Sequence, residues 1–150
     1  MKRFRFRLQR VLDIREKKEE IALQKLKAKI CQIQEVAERI SSVENEKVKW
    51  LDYSAQNKGK AVDVSALKRR FEYCSVLTLE RQNLEKLLAK LKQEKNALRD
   101  ELLQRKREKE ILIRLKQRHR KQYNYRLSQE QIKDFDELNI NKYVGRYMES

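Results

Sequence analysis

Apolar residues recur every seven positions in two stretches of this chain, and that period restricts it to long helices packed along a seam. In the first stretch Leu12, Leu26, Ile33 and Ile40 form one series, interrupted by Glu19. Ala22, Val36, Val43 and Trp50 form a second series three residues further on, with Arg15 and Lys29 intruding. Two interleaved series offset by three and four are the a and d positions of a coiled coil. In the second stretch Leu77, Leu84, Leu91, Leu98 and Leu112 share a series broken by Arg105. Leu88 and Leu102 supply its companion, interrupted by Arg81, Lys95 and Lys109. A layered globular core lacks the material: the 150 residues include no Pro and two Gly, and 41% of them are charged. Globular domains place about a quarter of their residues in charge and use Gly and Pro for turns.

The expected fold class is therefore all-α: a long antiparallel two-helix coiled-coil hairpin with a short helical C-terminal extension, forming a single coiled-coil domain. Helix 1 covers about 4–55, roughly 75 Å at 1.5 Å per residue. The turn falls at about 56–63, where the seam breaks at Gln56-Asn57-Lys58-Gly59-Lys60-Ala61, because Asn or Gly just past a periodic stretch stops a helix. Asp63 or Ser65 can then cap helix 2 over about 64–126. Ser128 with Gln131 three residues on reads as a capping box opening the extension, 127–150. Ile132, Phe135, Leu138 and Tyr143 give that extension an apolar stripe. With the turn centred near Lys60, residue i faces roughly residue 121 − i. Trp50 then meets Phe71, Val43 meets Leu77, Ile33 meets Leu88 and Leu8 meets Ile113, while Leu26 faces Lys95 in a weaker layer. Lys and Arg on a seam cost stability, so replacing Lys95 and Lys109 by Leu is expected to raise the melting temperature.

Several classes of function find no support. No apolar run reaches the roughly 18 residues of a transmembrane helix, and the basic opening Met1–Arg10 precedes no apolar signal region. The same register places Cys31 and Cys74 about 22 Å apart in helical rise, beyond disulfide reach, and both read as small fillers in a reducing cytoplasm. His119 is the only histidine. No phosphate loop, nucleophile elbow or metal-ligand spacing occurs, and a two-helix hairpin offers no dry pocket. The expectation is a non-enzyme with no cofactor and no metal.

Charge is the second signal. Lys2, Arg3, Arg5, Arg7 and Arg10 precede any acid, and Arg105 to Lys121 holds nine Lys and Arg against Glu108 and Glu110. Antiparallel pairing brings both runs to the open end, a positive pole for nucleic acid, an anionic membrane or an acidic protein. A DNA-binding zipper runs basic region first and leucines after, on one helix; here the richer basic run follows the leucines. No RNA-recognition signature is present, so no specific nucleic acid is expected. Near the turn Trp50, Tyr53, Phe71 and Tyr73 exceed what one seam can bury, which marks either a seam plug or an apolar contact surface.

The opening Phe4-Arg5-Phe6-Arg7-Leu8-Gln9-Arg10-Val11-Leu12-Asp13-Ile14-Arg15-Glu16 resembles the start of the flagellar export protein FliJ family. Lys109-Glu110-Ile111-Leu112-Ile113-Arg114-Leu115-Lys116-Gln117-Arg118 is similar to that family's late basic stretch, and Asp136-Glu137-Leu138 to the acidic pair that closes it. The resemblance implies a component of the flagellar type III export apparatus, peripheral on the cytoplasmic face of the cell membrane, similar to the stalk of a rotary ATPase. It implies that the open end enters the export ATPase ring and promotes its assembly and activity, while the turn region meets the membrane export gate; export chaperones are further partners. Carried over by position, Phe4, Phe6, Leu8, Leu12, Lys109, Leu115 and Lys116 are the expected ATPase-binding residues. Trp50, Tyr53, Phe71, Ser75 and Thr78 lie in the stretch corresponding to the gate contact. The free chain is expected to be a monomeric hairpin. The alternatives are a nucleic-acid-associated basic coiled coil, the equivalent stalk of a virulence injectisome, and a homodimeric structural coiled coil.

Overall fold

The computed structural model describes residues 2–56 and 63–149, without the side chains of 53–56. Two helices, α1 (Gln9–Gln56) and α2 (Val64–Met148), pack antiparallel, and the described residues contain no strand. The expected turn, with Gly59, lies outside the described residues, as does the side chain of Tyr53. Asp63 caps α2: its Oδ1 accepts from the Ser65 amide at 3.1 Å, and its carbonyl accepts the first helical bond, from Leu67 N at 3.1 Å. That arrangement satisfies two amides that otherwise lack intrahelical partners.

Helix α1 starts later than the seven-residue period implies. Residues 2–6 take no helical hydrogen bonds, and a turn closed by Gln9 N onto the Phe6 carbonyl (3.1 Å) leads into the helix. The cause is visible in burial, which alternates residue by residue: Arg3, Arg5 and Arg7 are exposed, Phe6 is buried, and Phe4 and Leu8 are half-buried. A period of two is that of an extended segment lying on one face, and it buries these rings better than a helical turn would. Helix α2 departs the other way. It runs unbroken past Ser128, whose Oγ donates to its own helix at the Tyr125 carbonyl (2.8 Å) rather than capping a new one. Mid-helix serines commonly make such back-bonds.

The contacts divide into two units, residues 20–104 and residues 1–19 with 105–150. In the first, the least exposed side chains are those of the two heptad series. Ala22, Val43, Leu77, Leu91 and Leu102 are buried, and Leu26, Ile33, Val36, Ile40, Leu84, Leu88 and Leu98 half-buried. Lys29 pairs with Glu94 (2.7 Å), Arg81 with Glu44 (2.7 Å) and Arg39 with Glu80 (3.7 Å). Each pair straddles the expected facing position by one helical turn or less. Phe71 does not plug the seam: it is 62% exposed, and the Trp50 ring instead meets Tyr73, centroids 5.1 Å apart. Cys31 is exposed and so is no filler, whereas Cys74 is half-buried; both are free thiols.

In the second unit Phe6, Leu12 and Leu112 are buried. Every cross-helix partner there lies further along α2 than expected: Gln9 takes Lys116 (2.8 Å), and Phe6 takes His119 in place of residues about a turn earlier. Charged seam residues reach forward in the same sense. Arg15 Nη1 donates to the Glu108 carbonyl (2.8 Å), and Lys109 Nζ stands 2.8 Å from Glu19 Oε2. That carboxylate oxygen has no hydrogen bond of good angle, so the attraction is between charges. Glu19 holds the Lys109 ammonium above its usual 10.5.

Two outcomes follow for stability. Lys109→Leu alone strands the Glu19 carboxylate on the seam and lowers the melting temperature, whereas Glu19→Leu with Lys109→Leu closes the seam and raises it by about 3–6 °C. Circular dichroism melts check this, and a gain from the single variant equal to that of the double one would sink it. For Glu94, the Lys29 ammonium lowers the carboxyl below its usual 4.5. The contribution of that pair is therefore complete above about pH 4.5 and disappears as pH falls through the depressed value. The melting-temperature gap between the wild type and Glu94→Gln is expected to close between pH 7 and pH 3.

Candidate functional site

Charge is concentrated in one unit. Residues 1–19 and 105–150 hold 21 of the 38 Lys and Arg but only 10 of the 23 Asp and Glu, which puts +11 of the net +15 there. Within that unit the extended strap of residues 2–6 lies along α2. Tyr123 Oη donates to the Lys2 carbonyl (2.7 Å), and its ring meets Phe4 with centroids 5.5 Å apart. Phe6 sits edge-on to His119 at 5.9 Å. His119 and Tyr123 are four residues apart and share one face of α2, so a single helical face receives both strap rings. Shallow grooves run on both sides of the strap. Arg126 and His119 line one, Lys116 and Arg120 the other, and no carboxylate lines either.

The seven residues expected at the open end all fall in this unit, but they do different things. Phe6 and Leu12 are buried in its own packing, and Phe4, Leu8 and Leu115 are half-buried. Lys109 is engaged with Glu19 and Lys116 with Gln9. The outward-facing groups are ones the apolar pattern did not single out, Arg3 and Arg5. The alternation Phe4-Arg5-Phe6-Arg7-Leu8 was the available signal for them.

The group near the turn falls in the other unit. Trp50 and Tyr73 form an apolar recess with Ala66 and the stems of Arg69 and Arg70. Val48, Leu51, Phe71, Val76 and Leu79 stand exposed in the same stretches of α1 and α2. The Tyr73 hydroxyl donates to Glu46, and that carboxylate pushes its pKa above 10.0. Ser75 and Thr78 bond their own helix: Ser75 Oγ donates to the Phe71 carbonyl (2.9 Å) and Thr78 Oγ1 to the Cys74 carbonyl (2.8 Å). Their hydroxyl protons are thus used within α2, leaving a mainly apolar and aromatic surface. Among the described residues no group of three His, Cys, Asp or Glu side chains gathers to hold a metal, and no helix is long and apolar enough to cross a membrane.

No curated protein and no solved structure matches the chain. The sequence model of one family, described as Flagellar FliJ protein, matches residues 4–146. That match takes in both helices' seams, the strap from Phe4 onward and the basic run on α2, and the chain belongs to the FliJ family of flagellar export components.

Proposed function

We propose that the chain is a coiled-coil stalk of the flagellar export apparatus. In this reading the unit carrying the strap binds the export ATPase ring and promotes its assembly and activity. The surface around Trp50, Tyr53, Phe71, Ser75 and Thr78 meets the membrane export gate, and export chaperones bind as further partners. The chain acts in the cytoplasm, peripheral to the membrane at the flagellar base. It supplies binding and positioning, and the ATP chemistry belongs to the ring.

The observation that carries this reading is the strap: a basic segment pinned by aromatic contacts on a unit holding most of the net charge, in a chain of the FliJ family. A positive field steers an acidic partner during approach, and a few well-placed contacts then set the geometry. Phe4 and Phe6 fasten the strap to Tyr123 and His119, Lys116 bonds Gln9 at its end, and Leu8, Leu12 and Leu115 add buried and half-buried apolar side chains to the same unit. Exposed aromatic and aliphatic side chains near Trp50 suit a protein contact, since aromatic residues anchor interfaces. The flagellar family match supports this apparatus over the injectisome.

Hydrolysis by the flagellar export ATPase of the same organism, titrated with this chain at fixed salt, tests the proposal. Stimulation should rise and saturate, and Phe4→Ala with Leu8→Ala should abolish most of it while leaving the helical signal intact. A flat titration against an otherwise active ATPase would overturn the reading.

A further inference from the structure

Arg3 and Arg5 are the two side chains of the strap whose placement the packing does not explain. Both are exposed, and neither makes an ion pair among the described residues. Their neighbours fix where they point. Phe4 and Phe6 turn in toward Tyr123 and His119, so the residues between and beside them turn out. The strap is tied at Lys2 by Tyr123 and at Phe6 by Gln9, which holds both arginines on one ordered segment. Two residues along an extended chain span about 6.6 Å. Carboxylates at i and i+4 of a helix are separated by about 6.0 Å of rise. Each guanidinium can take one carboxylate in a two-bond fork. Carboxylate-free grooves on either side leave room for the rest of such a helix without like-charge conflict on its acidic face.

We propose that Arg3 and Arg5 form a carboxylate-reading pair that takes an acidic helix of the partner protein, with Asp or Glu side chains one turn apart. This rests on the stalk reading, within which it names the chemistry of the partner surface and moves the contact from the apolar residues to the arginines. Phe4 and Phe6 become positioning residues that aim the pair. Single-stranded nucleic acid fits less well, because it needs free aromatic faces for its bases, and the strap's rings are already paired with Tyr123 and His119.

The test uses the full chain and two labelled helical peptides of identical composition, one with Glu at i, i+4 and i+8, the other with the same Glu residues spread around the helix. By fluorescence anisotropy the aligned peptide should bind about tenfold tighter than its isomer, and Arg3→Gln with Arg5→Gln should erase that difference. Arg3→Lys with Arg5→Lys keeps the charge but should lose most of the preference, because an ammonium cannot make the fork. Lys17→Gln with Lys18→Gln removes equal charge from exposed α1 positions of the same unit and should leave the preference unchanged. In the ATPase assay Arg3→Gln with Arg5→Gln should raise the half-maximal concentration about tenfold with an unchanged plateau. Equal effects from the Lys17 and Lys18 variant would reduce the pair to bulk charge and overturn the proposal. So would tighter binding of an oligothymidylate than of the aligned peptide. A low-salt dimer in sedimentation that Glu130→Gln with Asp134→Gln abolishes would also overturn it, by making a second copy the occupant. Stimulation by the wild type that the arginine variant matches would sink the pair and leave the stalk reading standing. A flat wild-type titration with the peptide preference intact would do the reverse.

Discussion

A pair of helices has one seam, and among the described residues every buried side chain lies on that seam or beside it. With no second layer to close over it, no large side chain among the described residues becomes completely inaccessible, and even Leu12, Leu77 and Leu112 remain 3–5% exposed. The seam therefore tolerates what a globular core would reject. Glu19, Lys109, Arg15 and Arg105 all occupy heptad positions, where they are half-buried, and each has a polar partner within reach: Glu19 and Lys109 pair with one another, and Arg15 and Arg105 reach Glu108. Charge at these positions costs stability, while Glu19 and Lys109, paired at this register, would be separated at the next. The same logic suits the ion pairs that cross the seam among the described residues, Lys29 with Glu94, Arg39 with Glu80, Arg81 with Glu44 and Lys109 with Glu19.

The strap solves a different problem. Helical periodicity places about one residue in three or four toward a partner surface, so a helix begun at Phe4 could not turn both Phe4 and Phe6 inward. An extended segment can, and the opposite side of the same segment then carries only arginine. One change of backbone period thus produces a hydrophobic attachment and a cationic surface from Arg3, Phe4, Arg5 and Phe6. The attachment consumes Tyr123 and His119, which keeps those rings from acting as a separate adhesive patch.

Much of this fold was legible in the residues. The heptad series located both helices and identified the least exposed positions, because burial on a single seam obeys one period over dozens of residues. The Asp63 cap was legible for a similar reason: a short acidic side chain next to unpaired amides has few competing uses. The strap was not, because an alternation across Phe4–Leu8 is too short to outweigh the helical pattern that follows. Ser128 misled through real chemistry, since the hydroxyl that could cap a new helix can equally bond back to the one it is in. The Trp50 partner shifted from Phe71 to Tyr73, whose hydroxyl has Glu46 to satisfy it while its ring covers the indole. Of the candidate site, the convergence of basic residues and the apolar character of Phe4, Phe6 and Leu8 are legible in the residues, whereas the division of the contacts into two units is not. Arg3 and Arg5 stand in the basic run, but a count of charges does not reveal which of its members the packing of Phe4 and Phe6 leaves pointing outward.

Trp50 is the chain's single tryptophan, and its indole, 36% exposed, rests against Tyr73 in the unit that does not carry the strap. Its emission is thus an unlabelled optical reporter confined to one region of the molecule. Anything that covers the recess of Trp50, Ala66 and Tyr73 will shift that spectrum.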